Sequence, residues 1–261
     1  MTTIEEATPA SRHEGPMPFL SVVIPFYDEE ACVDHVCEEL LQALTENAER
    51  VSAWEGILVD DGSRDLTGRL IDAWARRPPF RAVHIHPNSG QSAALAAGFK
   101  AARGTYIGMM DGDGQNDPRD LPLLLAELRR RNLDMLCGIR QRRADGFVRK
   151  ASSRIANGVR RAVLHDGISD VGCSMRVFRR ACLAGVTFFR NAHRFFPALV
   201  MAAGYQVAET PVRHRARYRG TSKYGTGINS RLWVGLADLA GVAWLTRRAL
   251  RYEVREGLEK E

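Results

Sequence analysis

The sequence predicts an α/β fold, a mostly parallel sheet flanked by helices. Short β-branched runs alternate with helical patterns from Leu20 onward, and the helices between runs are long enough for crossover connections. Carboxylates crowd the ends of several of these runs, where ligands of open parallel sheets bind.

The elements follow in order. Leu20 to Ile24 reads as a buried strand, and the helix after Pro25 places Val33, Val36, Cys37, Leu40, Leu41 and Leu44 on one face. Ile57 to Val59 is a second strand, followed by Leu66, Leu70, Ile71 and Trp74 at helical spacing. Ala82 to Ile85, the Ala-rich Ser92 to Ala102, Tyr106 to Met110, Leu121 to Leu128 and Met135 to Cys137 continue the rhythm. After Gly138 the pattern changes. Phe147 to Leu164 reads as a basic helix, Ser174 to Phe178 as a strand, His193 to Ala203 as a helix and Tyr205 to Val212 as a strand. A last amphipathic helix is expected from Ile228 to about Arg251. The organisation expected is a flexible tail over residues 1–17, one domain over 18–224, and a helix with a charged tail over 225–261.

Composition narrows the setting. The 261 residues, 45% of them hydrophobic, suit a globular core. Five scattered cysteines without a CxxC pair suggest neither a zinc ribbon nor a disulfide framework, and a reducing cytoplasm fits best. Residues 1–17 lack the apolar core of a secretory signal. The apolar run Leu232 to Leu245 holds Asp238 and is about 14 residues long, short of the roughly 20 a membrane span needs. The net charge of +6 is uneven, with basic residues crowding Arg140 to Arg161 and Arg213 to Lys223. Such patches attract polyanions of several kinds. A nucleic-acid partner is disfavoured, because the acidic rim repels phosphate and no recognition motif accompanies the charge.

The chemistry sits at the strand ends. The first strand runs into Pro25-Phe26-Tyr27-Asp28-Glu29, the second into Asp60-Asp61-Gly62-Ser63, and the fourth into Asp111-Gly112-Asp113-Gly114-Gln115. No GxGxxG or GxxxxGK[ST] is present, so neither a dinucleotide fold nor a P-loop is supported. Asp111 and Asp113, one glycine apart, bring two carboxylates within reach of one ion. Oxygen ligands of this kind suit Mg²⁺ or Mn²⁺, which bridge protein carboxylates to substrate phosphates. An isolated Asp-Gly-Asp is more often a turn. Here it shares its rim with Asp60 and Asp61, and a turn alone does not need four acids.

These segments together resemble family 2 glycosyltransferases, in the branch that acts on polyprenyl phosphates. Val23 to Glu29, Val59 to Ser63, Asn88 to Ala94, Asp111 to Gln115, Gly138 to Arg140, Ser153 to Asn157 and Arg219 to Tyr224 carry the resemblance. It implies a GT-A fold, transfer with inversion from a UDP- or GDP-sugar to undecaprenyl or dolichyl phosphate, and a site at the cytoplasmic face of a membrane. It further implies that Pro25, Tyr27, Glu29, Asp60, Asp61, Gln91 and Asp111 hold the nucleotide-sugar and that Asp111, Asp113 and Gln115 hold the metal. Arg140, Arg154 and Lys223 are implied as cations for the phosphates, and Lys223 lies in a Gly/Ser/Thr loop suited to closing over the site. Gly112 and Gly114 stand where larger residues are usual, which is expected to loosen that loop. Many relatives carry C-terminal spanning helices, and peripheral attachment is expected here, through the basic helix and the Leu232 to Leu245 segment with Trp233 and Trp244. His193 and Arg194 fall close to the acceptor side in relatives. Neither offers the carboxylate that a hydroxyl acceptor on a polysaccharide or lipid, the alternative substrate, needs as a base.

Overall fold

A computed structural model describes residues 19–140, 158–219 and 228–249. Arg154, Lys223, the tail over 1–17, most of the basic helix and the charged end after residue 249 lie outside the described residues. The order is β1 (Phe19–Phe26), α1 (Glu30–Thr45), β2 (Ala53–Asp60), α2 (Thr67–Ala75), β3 (Phe80–His84), α3 (Gln91–Ala101), β4 (Tyr106–Met109), α4 (Asp120–Arg130) and β5 (Met135–Arg140). A helical stretch over residues 158–164, α5, precedes β6 (Arg176–Arg179), α6 (Phe196–Ala202), β7 (Val207–Val212) and α7 (Ile228–Arg247).

Among the described residues one seven-stranded sheet runs β3-β2-β1-β4-β6-β5-β7. All pairs are parallel except those made by β6, which is antiparallel to both β4 and β5. Period-two alternation divides the sheet between two cores. Leu20, Val22 and Ile24 of β1 face α1, α2 and α4, whereas Val23 faces α3 with Ile57, Val59 and Met109. Small residues let α3 lie close to the sheet: a Cβ on Gly98 would meet Val23 Cγ1 at 2.3 Å. That depth sets the N-terminus of α3 beside the ends of β1 and β4. The chain runs outward from β1 through β2 to β3 and then returns to the other side of β1 as β4, so a topological switch point falls between β1 and β4.

Two elements differ from their sequence readings. The helix expected from His193 is split into a 3-10 turn, Ala192–Arg194, and α6, with Pro197 in the first turn of α6, where its missing N–H costs nothing. The last helix is apolar on both sides rather than amphipathic. Leu239 and Val242 pack on Ala192, Phe195 and Leu199, while Trp233, Leu236, Trp244 and Leu245 are exposed. Asn191 Nδ2 donates to Asp238 Oδ2 at 2.9 Å and ties α7 to the domain.

Candidate active site

A cavity of about 250 Å³ opens at the switch point, lined by Pro25, Phe26, Tyr27, Glu29, Asp61, Asn88, Gly90, Gln91, Ala94, Asp111, Asp113 and Arg217. Its walls come from the loops that leave β1, β2 and β4, from the start of α3 with the residues just before it, and from the segment after β7.

The β1 loop turns sharply at Asp28, whose φ of 48° lies in the left-handed region that Asp and Asn tolerate better than most residues. Asp28 N donates to Ser63 Oγ at 2.9 Å, and Arg64 N donates to Asp28 Oδ1 at 2.6 Å. These bonds fix Tyr27 and Glu29 at the cavity wall.

Asp60 and Asp61 divide their work. Asp61 faces the cavity and accepts from Ser89 N at 2.8 Å, Gly90 N at 2.8 Å and Asn88 Nδ2 at 2.9 Å. Burial raises its pKa against the lowering effect of these donors, and Asp60 adds to the rise. Asp60 instead accepts from Ser63 N at 2.9 Å and bonds His84 Nδ1 at 3.1 Å. It is absent from the cavity lining, and its side chain holds the loop after β2.

Asp111 and Asp113 both line the cavity. Gln91 Nε2 donates to Asp111 Oδ1 at 2.7 Å, and Asp111 N donates to Asn116 Oδ1 at 2.9 Å. Burial, and then repulsion from Asp113, push the Asp111 carboxyl up to about 6. Gln115 does not point into the cavity: its Nε2 donates to Arg215 O at 3.3 Å, while its backbone N donates to Asp113 Oδ1 at 3.0 Å. The expected loosening around the two acids is also overturned. A Cβ on Gly112 would lie 2.5 Å from Phe26 Cδ1 and 2.8 Å from Pro25 O, so glycine is what lets the loop sit against β1. Gly114 has a φ of 75°, where a side chain is strained.

Arg140 is engaged elsewhere. Its Nε and Nη2 donate to the two oxygens of Asp170, each at 2.8 Å, and it does not line the cavity. Among the described residues the cation that reaches the cavity is Arg217, which pairs with Glu29 at 2.7 Å and Asp113 at 2.9 Å. Sequence reading placed it only within a basic segment. The signal available was the alternation of Arg213, Arg215 and Arg217 after β7, but its acidic partners lie far away in the chain.

Among the described residues no group of three or more His, Cys, Asp or Glu could hold a metal ion. Two carboxylates are nevertheless enough for Mg²⁺-type binding, which commonly takes one or two and completes its shell with water and substrate phosphates. Asp111 and Asp113 fit such a cation, since they repel each other in a buried position and Asp113 already holds a positive group.

Residues 21–186 match the family model for glycosyl transferase family 2, and the chain belongs to that family. It is 39% identical over 245 residues to a dodecaprenyl-phosphate galacturonate synthase of Rhizobium johnstonii, covering 91% of this chain and 69% of the relative. It is 33% identical over 209 residues to an undecaprenyl-phosphate 4-deoxy-4-formamido-L-arabinose transferase of Edwardsiella ictaluri, covering 79% of this chain and 63% of that protein. Among solved structures, glucosyl-3-phosphoglycerate synthase from Mycobacterium tuberculosis, in complex with Mn²⁺, UDP and glucosyl-3-phosphoglycerate, superposes with a TM-score of 0.62 at 18% identity. That match covers 88% of this chain and 80% of the synthase chain. A mannosyltransferase from Pyrobaculum calidifontis, in complex with GDP-Man and Mn²⁺, superposes at 0.59 and 19%, covering 88% of this chain and 64% of the other. The fold expected from the resemblance, GT-A, is borne out.

Proposed function

We propose that this protein transfers a sugar from a UDP- or GDP-sugar to a polyprenyl phosphate at the cytoplasmic face of a membrane. The observation that carries the reading is the switch-point cavity, in which Pro25, Tyr27, Asp61, Asp111 and Asp113 meet although the sequence spreads them over three loops. The acceptor class is that of the similar dodecaprenyl-phosphate and undecaprenyl-phosphate enzymes. Tyr27 offers its ring to the base, and Asp61, held by three loop donors, presents a fixed carboxylate edge beside it. Asp111 and Asp113 would hold Mg²⁺ or Mn²⁺, which when bound offsets the charge developing on the leaving diphosphate. Gln115 remains a proposed ligand through its side-chain oxygen, since the bond to Arg215 O engages its Nε2.

In the reaction an acceptor phosphate oxygen attacks the anomeric carbon, the bond from that carbon to the nucleotide's β-phosphate oxygen breaks, and configuration inverts. The acceptor needs no protein base. Its second ionisation lies near pH 6 by analogy with phosphorylated side chains, so at neutral pH it is already anionic. The cavity's own carboxylates are otherwise occupied: Glu29 and Asp113 by Arg217, Asp61 by the 88–90 loop, and Asp111 by Gln91. Arg154 and Lys223 remain proposed phosphate ligands. Arg140, paired with Asp170 through Nε and Nη2, remains a proposed phosphate ligand as well.

The test is a panel of UDP- and GDP-sugars with short-chain polyprenyl phosphate and Mn²⁺, read for a lipid-soluble product. Asp113→Asn is expected to lower turnover by about two to three orders of magnitude, a loss typical of removing a preorganised electrostatic contact. Undiminished turnover in that variant overturns the cation assignment, and absence of any lipid-linked product across the panel overturns the acceptor.

A further inference from the structure

The chain leaving β7 carries arginine at every second position, Arg213, Arg215 and Arg217. It lies along the loop that bears Asp111 and Asp113: Arg215 N donates to Gln115 O at 2.9 Å, and Asn116 and His214 form an isolated antiparallel bridge. Two of the arginines grip acids outside the cavity. Arg213 holds Asp120 at 2.7 Å, and both terminal nitrogens of Arg215 hold Glu39 at 2.7 Å. The Tyr218 ring then stacks on His35, with centroids 3.9 Å apart. The strap is therefore anchored on both sides of Arg217.

Arg217 itself turns inward and divides its guanidinium between Glu29 and Asp113. Asp113 Oδ2, at 2.9 Å from Arg217 Nη2, is also an oxygen suited to a divalent cation, whose bonds to oxygen are about 2.0–2.1 Å for Mg²⁺. A guanidinium and a divalent cation repel each other at that separation. Sharing one carboxylate oxygen between the two positive groups weakens the hold on both.

We propose that Arg217 is a built-in counter-ion of the cation site, seated on Asp113 in the metal-free protein and displaced from it by the incoming metal. The inference rests on the assignment of Asp113 to the cation. Because Arg213, Arg215 and the Tyr218 stack keep the backbone in place, the exchange needs only a rotation of the Arg217 side chain. Removing the guanidinium leaves Asp113 open and strengthens metal binding. A residue serving only to stabilise the fold would not change metal affinity in that direction.

The experiment is Mn²⁺ binding to the full chain without nucleotide at fixed ionic strength, read from the electron paramagnetic resonance signal of free Mn²⁺. Arg217→Gln is expected to bind Mn²⁺ at least tenfold more tightly than the wild type. Arg217→Lys, which keeps the charge but loses the fork that spans both acids, is expected to fall between them, and it carries the test should Arg217→Gln not fold. Arg215→Gln removes one positive charge from the same strap and is expected to stay within twofold of the wild type. Equal or weaker binding by both Arg217 variants overturns the proposal, as does an Arg215→Gln effect as large as that of Arg217→Gln. Asp113→Asn separates the two ideas: wild-type Mn²⁺ affinity in that variant discards the cation assignment itself.

Discussion

His193 Nδ1 lies 2.7 Å from Ser92 Oγ, and that same hydroxyl receives the His193 backbone N–H at 3.3 Å. Ser92 follows Gln91, which holds Asp111, so the imidazole braces the start of α3 against the residues that enter α6. Burial, then the Arg194 and Arg176 charges, lower its pKa from 6.5 to about 3. A folded-state value below the unfolded one means that the unfolded chain binds the proton more readily. The stability this neutral histidine contributes is thus complete above about pH 6.5 and is lost progressively as pH falls toward 3. His193→Gln keeps a polar partner for Ser92 without the titration. It is expected to melt at a slightly lower temperature at pH 7.5, by roughly the 0.5–1.5 kcal/mol of one hydrogen bond, and to show a shallower decline between pH 6.5 and 4.5. Calorimetric scans across that range check it. Parallel acid declines in the two proteins refute the neutral assignment, and a pH–rate limb present in the wild type but lost in His193→Gln refutes the reading that no protein base is used.

At the scale of elements, the loop joining β4 to α4 shows what was legible in the sequence and what was not. Strand and helix order could be read from periodicity because apolar spacing is local, and the acids after β1, β2 and β4 stood out because they end apolar runs. Distance in the chain hid the rest. The β6 strand's antiparallel pairing depends on how the chain returns after β5, and the partners of Arg140 and Arg217 are brought close only by tertiary structure. Asn116, which accepts from Asp111 N and from Ser174 Oγ at 2.9 Å each, gave no local signal either. Gly112 reads differently in the two views: neighbouring residues suggest a loose turn, whereas the packing shows a backbone pressed onto Phe26 and Pro25. Gly112→Ala is therefore expected to destabilise the fold by about 1–3 kcal/mol, the usual cost of overpacking, and to weaken Mn²⁺ binding by shifting Asp111 and Asp113. Denaturant melts and Mn²⁺ titration measure the two effects. An unchanged midpoint removes the close-approach argument.

At the scale of the whole molecule, α7 is the surface on which the proposed approach to a lipid substrate is expected to depend. No described helix is long and apolar enough to cross a membrane, yet α7 leaves Trp233 at 71% and Trp244 at 61% exposure while its opposite side is packed on the domain. The two tryptophans are eleven positions apart, which at 100° and 1.5 Å per residue puts them within about 20° of one direction and about 16 Å apart. Leu236, Ala237 and Ala240 lie between them and are exposed, and Arg247 and Arg248 are exposed at the end, with the Arg248 guanidinium 5.2 Å from the Trp244 ring. An apolar strip bounded by tryptophan and arginine matches the composition of a helix lying in the membrane interface, where aromatic rings settle at headgroup level and cations meet anionic lipid. The expected result is flotation of the full chain with vesicles containing phosphatidylglycerol, reduced at least tenfold by Trp233→Ser with Trp244→Ser. Raising salt weakens the cationic share of binding within a Debye length of the surface and leaves the tryptophan share, so the wild type retains partial flotation at high salt and the double variant does not. Turnover with a water-soluble short-chain acceptor should be nearly unaffected in the double variant, whereas turnover with acceptor embedded in vesicles should fall with flotation. If the variant floats like the wild type, or if both acceptors are used equally poorly, the exposed face of α7 serves something other than lipid.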